Sequence, residues 1–495
     1  TVGGTLTLTS GPLTIGANTL TLDGLVTTTS GTLVGGGTSN IVIGGTAAQL
    51  TLPAVELNNL TLNRTNGAAL GGNVGVGGTL TLTNGLLTLG SNNLTLGAAA
   101  AIGGTPGAAN MVVPTGTGQM RKTFTGTGSF TYPVGDNTGT AEYSPITLNF
   151  TAGTFGATPY AGVTLADAKH PDNPSLADYL TRYWSVSQND ITGFTCNITG
   201  TYVPEDTTGL ESNMFTGKWN GTRWTRFGAV NPVTHQISAA GVTSFSEFTA
   251  GSEYLMNAQV VVKAKAFMQG PWDGASAMNT YLIPDPTDTT TVMLPLDHPY
   301  GGATAYGGGY NGAVSHMGSE NIKSYEWFNM HPTVVDWIMV EVRNVDQVTT
   351  EQTRAALLLS DGSIVDLDGA SPVAFDSISA GGHYIVLRHR NHLAIMSADT
   401  THLYINSSQF NFTNNILNIF GNDAKDLTGT GVYGMYSGDG NSDGGIDFMD
   451  RVDVWLTDNG GAGYLYGDFN LDGGCDFTDR VSYWLPNNGG ATQVP

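Results

Sequence analysis

The sequence is poor in charge, and poorest in basic residues and cysteine. Only 12% of its 495 residues are charged, with 18 Lys and Arg against 40 Asp and Glu, for a formal net charge of -22. Binding to phosphate needs clustered Lys and Arg, so nucleic acid is excluded as a partner, and an anionic membrane surface for the same reason. The two cysteines, Cys196 and Cys475, are too far apart in the sequence for a disulfide framework or a zinc site, which need closely spaced pairs. No apolar run reaches the roughly 18 residues that mark a membrane span. HExxH, G-x-S-x-G and P-loop motifs are missing, and no enzymatic activity is expected. The chain opens at Thr1 without Met or signal peptide; it reads as a mature or truncated product, with further repeats expected ahead of it.

Glycine, by contrast, is plentiful at 69 residues, which calls for many turns and few long helices. The acidity is uneven and divides the chain into four segments. Residues 1–104 hold only Asp23, Glu56 and Arg64. Residues 105–252 carry seven basic and ten acidic residues, 253–436 eight and eighteen, and 437–495 two and ten.

The first segment repeats itself. Gly4–Gly24 (GTLTLTSGPLTIGANTLTLDG) and Gly78–Ala98 (GTLTLTNGLLTLGSNNLTLGA) agree at 14 of 21 positions, at an offset of 74. Leu, Ile and Val alternate with Thr, and Gly or Asn punctuates every few residues, as in NIVIGG at Asn40 and NNLTLN at Asn58. Strands this short bury one apolar face only by stacking in coils, the logic of a β-solenoid. The offset fits three coils of roughly 25 residues; a β-sandwich with degenerate strands is the alternative. Residues 105–252 add aromatics (Phe124, Phe130, Tyr132, Trp184, Trp219, Trp224) to strand-like runs and fit an antiparallel sandwich. Residues 253–436 give further apolar runs at Val334–Arg343, Ala355–Gly369 and His383–Ser397, with a hairpin signal at Asp361–Gly362, and read as a second sandwich-like domain. The fold class is therefore mostly β: solenoid, two sandwich-like domains and a small helical module.

That module carries the one strong chemical motif. Residues 438–460 (GDGNSDGGIDFMDRVDVWLTDNG) and 467–489 (GDFNLDGGCDFTDRVSYWLPNNG) match at 15 of 23 positions, and both contain D-x-N-x-D-G-x-x-D-x-x-D. Calcium is a hard cation taking six to eight oxygens, which a 12-residue loop supplies from positions 1, 3, 5, 7, 9 and 12. These are Asp439, Asn441, Asp443, the Gly445 carbonyl, Asp447 and Asp450 in the first loop, and Asp468, Asn470, Asp472, the Gly474 carbonyl, Asp476 and Asp479 in the second. Gly444 and Gly473 occupy the sharp turn at position 6. Four carboxylates close together repel one another without a cation, so two Ca2+ ions are expected. They would bring the module from -8 to about -4. Val452, Trp455 and Leu456 mark one face of the stretch that follows the first loop, and Val481, Trp484 and Leu485 that of the second. Ile446 and Cys475 take the apolar position 8.

On these residues the module resembles the dockerin family, in which paired loop–helix units bind calcium and then grip a cohesin partner. The positions that steer cohesin choice there are Phe448–Met449 and Phe477–Thr478 here, in place of the common small hydroxyl pair. This departure points as much to packing against the neighbouring β-domain as to a cohesin. Asn59–Gly85, Phe130–Phe150, Val334–Arg343, DGSIVDLDG and YIVLRHRNHLAIMS are similar to modules of large secreted surface proteins of Bacteroidetes, the type IX-secreting bacteria. Such proteins are described as adhesin- or haemagglutinin-like. The resemblance implies an extracellular or cell-surface protein whose partners are surface glycans, proteins or other copies of itself.

Weaker signals complete the reading. Gly429-x-Gly431-x-x-Gly434 has dinucleotide-site spacing but no βαβ context, and reads as a loop. On a strand, His383 and His389 would share one face, with Arg388, Arg390 and His392 on the other, a polar strand end or a metal pair. Asp336, Glu341, Asp366 and Asp368 include candidates for a glycosidase pair, though surface carboxylates on strands are common. Glycosylation is a candidate at Asn59, Asn197 and Asp376-Ser377-Ile378.

Overall fold

Alternation of Leu, Ile or Val with Thr gives strands of two to six residues that pair in parallel from one turn of chain to the next. The computed structural model describes residues 1–301, 310 and 312–495. Strands hold 43% of residues and helices 9%, so the chain is mostly β, with a β-solenoid-like arrangement of about 5 turns. One ladder runs Thr19–Leu22, Asn40–Ile43, Asn59–Asn63, Thr79–Asn84, Ala101–Gly104. A second joins Leu50–Leu52, Ala68–Leu70, Leu87–Thr88 and Val112–Val113; a third joins Val55–Leu57, Val74–Val76, Leu94–Leu96 and Met120–Thr123. Parallel pairing thus extends to Thr123, past the rise in charge and aromatics near residue 104.

The turn is shorter than the repeat offset suggests. Ile41 pairs with Leu60, and Leu60 with Leu80, a spacing of 19 and 20 residues, while the last turn, from Leu87 to Val112 and from Leu94 to Met120, takes 25 and 26. The 74-residue offset carries Leu6–Leu8 onto Thr79–Asn84, eleven strand-to-strand steps later, which is three and two-thirds turns of a three-sided coil. Three strands of about four residues with tight Gly and Asn corners need no more chain. The inward Leu60, Leu62, Leu80 and Leu82 are fully buried, and the alternate Thr61 and Thr81 are not. Burying each such leucine is worth about 2 kcal/mol.

The corners are stitched by side chains. Asn59 donates to Asn40 Oδ1 at 2.8 Å and accepts from the Thr79 N–H at 2.7 Å, a ladder that climbs from turn to turn. Arg64, fully buried, donates to the carbonyls of Leu22, Gly24, Gly44 and Ala48 at 2.7–3.0 Å. Gly85 passes Arg64 so closely that a Cβ would lie 1.8 Å from its carbonyl oxygen, and its φ of +90° also favours glycine.

The chain forms two units, Thr1–Asn173 with Asp178–Met256, and Pro174–Ala177 with Asn257–Pro495. In the first, Met120–Thr123 turns the third ladder antiparallel by pairing with Ile146–Asp167, which runs on to Arg182–Thr201. The sheet is therefore continuous, and buried residues from Leu8 to Ala250 share one core. In the second unit, Val334–Arg343 lies between Thr350–Leu359 and Gly381–Arg388 with every residue buried. Leu393, from the chain just beyond that sheet, packs with Ile446, Trp455, Phe469, Cys475 and Trp484 of the terminal segment. Among the described residues no helix is long and apolar enough to cross a membrane.

Candidate metal centre

The two acidic loops fold alike because their repeated residues make the same local bonds. Gly444 and Gly473 take φ of 90° and 87°, the sharp turn expected at position 6. In the first loop Gly444 N–H donates to Asp439 Oδ2 at 3.1 Å, and Asp450 accepts from Asn441 N–H at 3.1 Å and Asp447 N–H at 2.6 Å. In the second, Gly473 N–H donates to Asp468 Oδ2 at 2.9 Å, and Asp479 accepts from Asn470 N–H at 3.0 Å and Asp476 N–H at 2.8 Å. Asp443 accepts from Asn441 Nδ2 and Gly445 N–H, as Asp472 does from Asn470 Nδ2 and Gly474 N–H. All twelve sequence-derived positions therefore lie in two matching loops, with Asp439, Asp450, Asp468 and Asp479 buried and Asp443, Asp447, Asp472 and Asp476 exposed.

The loops brace each other. Trp455, which follows the first loop, donates from Nε1 to the Asp476 carbonyl at 2.7 Å; Trp484 returns the bond to the Asp447 carbonyl at 2.9 Å. Arg451 lies over the Trp484 ring and Arg480 over that of Trp455. The helical stretches Asp450–Trp455 and Asp479–Trp484 are π-wound. Residues expected on one face separate: Trp455 and Trp484 are buried, while Leu456 and Leu485, each one position further along, are exposed. Cys475 is a buried free thiol, and burial pushes its pKa up.

The buried carboxylates are poorly compensated. Burial, with repulsion from Asp450 and Asp443, raises the Asp439 pKa well above the usual carboxylate range, and its Oδ1 has no hydrogen-bond partner although the residue is only 3% exposed. Burial likewise lifts Asp450 and Asp479 to about 6 and Asp468 to about 7, the last despite the opposing charge of Arg390. An oxygen-only donor set, an orphaned anionic oxygen and a turn glycine at position 6 suit a hard divalent cation.

What holds this centre in place was not singled out as such in the sequence. The strand Gly381–Arg388 ends before His389, so the expected sharing of strand faces by His383 and His389 does not occur. The chain turns there and brings His389 Nδ1 to 3.1 Å from His392 Nδ1, while His383 pairs with Glu351. Arg390 binds Asp336 at 3.0 Å and stacks on Tyr464; Tyr464 also donates to Asp336 at 2.7 Å. Asn391 donates to the carbonyls of Tyr466 and Asp468, and Ser442 to that of Arg390. The visible signal was the run RHRNH between two apolar stretches.

The other candidates separate. Asp336 and Glu341, expected on a surface, are fully buried. Glu341 bonds Arg343 and Arg388, and Asp366 bonds Arg354. Asp368 caps its own turn through the Ala370 and Ser371 N–H groups. Gly429 and Gly431 close a loop over Asp426. Phe448, Met449 and Phe477 are exposed. Asn59 is committed to its ladder, whereas Ser377 is exposed beside Asp376.

Among the described residues, two further groups bring three potential ligand atoms within 4.8 Å: His298, His316 and Glu320, and Asp136, Glu142 and Asp167. In the first, Tyr300 N–H donates to His298 Nδ1, which fixes the proton on Nε2 facing the Gly318 carbonyl and leaves no lone pair for a metal. In the second, Asp136, Glu142 and Asp167, together with Asp206, surround the buried Arg182. No protein-family model, curated protein or solved structure matches the chain.

Proposed function

We propose that the chain is a secreted cell-surface protein of structural or adhesive role, stabilised by two Ca2+ ions in a dockerin-like module, and not an enzyme. The observation that carries the calcium part is the buried, unpartnered Asp439 Oδ1 inside a loop repeated at Asp468. Asp439, Asn441, Asp443, the Gly445 carbonyl, Asp447 and Asp450 would hold one ion, and Asp468, Asn470, Asp472, the Gly474 carbonyl, Asp476 and Asp479 the other. Each ion supplies two positive charges where burial and mutual repulsion otherwise disfavour the carboxylates. The loops are held through Asn391 and Ser442, so calcium fastens the end of the chain to the sheet-bearing part of its unit.

The wider role is supported by the stacked solenoid turns, read as a stalk or spacer, and by the larger β-sheets of the two units, read as a surface for glycans or for other copies of the chain. The resemblance to type IX-secreted Bacteroidetes surface proteins favours an extracellular site, where calcium is plentiful. Imaging of native cell surfaces with a labelled chain tests this. An ordered polymer favours a fibre or layer subunit, and isolated stalks with glycan affinity favour an adhesin. Confinement of the label inside the cell would defeat both. A second reading, a component of a polysaccharide-binding or -degrading assembly, is favoured by the number of exposed apolar side chains on the module, Phe448, Met449, Leu456, Phe477 and Leu485. Glycan turnover by the purified chain would support it.

A further inference from the structure

The two loops repeat each other in sequence but do not sit in equivalent surroundings. We propose that they hold calcium unequally, the first loop more tightly than the second, and that Arg390 is the residue that sets the difference. This rests on the calcium reading above and goes beyond it.

Three observations support the inequality. At position 1, Asp439 has one oxygen bonded to Gly444 N–H and the other without a partner. Asp468 has both oxygens satisfied, by Asp472 N–H at 3.1 Å and Gly473 N–H at 2.9 Å. At position 12, Asp450 Oδ1 accepts one N–H, from Asn441, whereas Asp479 Oδ1 accepts two, from Phe469 at 2.8 Å and Asn470 at 3.0 Å. The second loop's anionic oxygens are thus already better served by the chain, and an arriving cation gains less there.

The third observation is the cation itself. Tyr436 and Leu465 are equivalent positions three residues ahead of the two loops. The Tyr436 carbonyl accepts from a neutral group, the Leu393 N–H at 2.9 Å. The Leu465 carbonyl accepts from the Arg390 guanidinium. Arg390 is fully buried; Asp336 holds its Nε, so its Nη end faces the chain that leads into the second loop. The next side chain, Asn391, grips the Asp468 carbonyl at 2.7 Å. The first loop copy meets this same segment through neutral groups, the Ser442 hydroxyl on the Arg390 carbonyl and the Gly438 N–H on the Asn391 carbonyl at 3.1 Å. A fixed positive charge beside a divalent-cation site, in a place that excludes water, weakens it, because Coulomb repulsion is little screened there.

Calorimetric titration of the full chain with CaCl2, after removal of calcium, tests the proposal. The wild-type chain should bind two ions with affinities at least about tenfold apart. Asp443→Ala should abolish the tighter site and Asp472→Ala the weaker. Arg390→Gln paired with Asp336→Asn, which removes both buried charges together, should raise the weaker affinity toward the stronger and leave the stronger unchanged. Two sites of equal affinity, or loss of the tighter site in Asp472→Ala, overturns the inequality while leaving the calcium reading intact. Two unequal sites whose ratio the paired variant does not alter overturn the role of Arg390. No binding at all by the wild-type chain overturns the calcium reading itself. If the paired variant fails to fold, as judged by circular dichroism, the two loop variants still decide which site is tighter.

Discussion

The solenoid and the terminal loops are both internal repeats of comparable fidelity, yet they are stable for opposite reasons. A solenoid turn stacks hydrocarbon on hydrocarbon: Leu60 and Leu80 meet in register, and every added turn buries more apolar surface. A loop copy brings like charges together: Asp439, Asp443 and Asp450 repel one another, and burial compounds the cost. Repetition therefore adds apolar burial in the first region, and in the second it doubles a charge cost that the proposed calcium ions would offset. Glycine serves both, at solenoid corners and at position 6 of each loop.

The comparison is sharpened by perturbations that should act on one region and spare the other. The largest effect is expected from chelation. An ion at a thousand times its Kd contributes about 4 kcal/mol, so EDTA should lower the Tm of the second unit, and Asp443→Ala with Asp472→Ala should remove the sensitivity to EDTA. Calorimetry with and without calcium checks this, and an unchanged melting profile would contradict it. Next in size, Leu80→Ala should cost the first unit about 3 kcal/mol in denaturant unfolding and leave calcium binding alone, since Leu80 is fully buried between turns.

An acid titration separates the units in another way. Burial opposes ionisation of Glu320, but His316 and Arg354 overcome it and hold the pKa at about 2, below the usual carboxylate range. The folded state therefore binds this proton less readily than the unfolded chain. The stability so gained is present above about pH 4.5 and lost as pH falls toward 2, on the order of 3 kcal/mol. In the first unit, burial and neighbouring acids raise Glu142 and Asp167, so the sign reverses and protonation relieves a cost. Glu320→Gln should flatten the acid limb of the second unit's stability curve, and an unaltered limb would count against the assignment. Smallest of all, Thr81→Ala on the outward solenoid face should change stability by no more than about 0.5 kcal/mol.

Much of this was legible in the sequence where the information is local. Period-two alternation gave the solenoid strands, and the spacing of Asp, Asn and Gly gave both loops. The 74-residue repeat suggests a longer turn than most of the coil has because it is out of phase with the coil: Leu6–Leu8 and Thr79–Asn84 match in sequence but lie in different ladders. Leu456 and Leu485 turn outward because each directly follows its buried tryptophan, and consecutive residues of a helix point about 100° apart. The docking segment escaped for another reason. Asn391 meets Tyr466 and Asp468 across 75 and 77 residues of chain, and no local pattern marks a bond that folding alone brings together. Polar residues after a strand look like a strand end until the surface they hold is known.

The central claim is that calcium is needed by the terminal loops and irrelevant to the solenoid. Hydrogen–deuterium exchange on the full chain, with calcium and then with excess EDTA, tests it at peptide resolution. The account predicts at least about tenfold faster exchange after chelation in peptides covering 438–489 and in the docking segment 388–392, with no change across 40–104. Exchange in 438–489 that is indifferent to EDTA, or that rises equally in the solenoid, would contradict it.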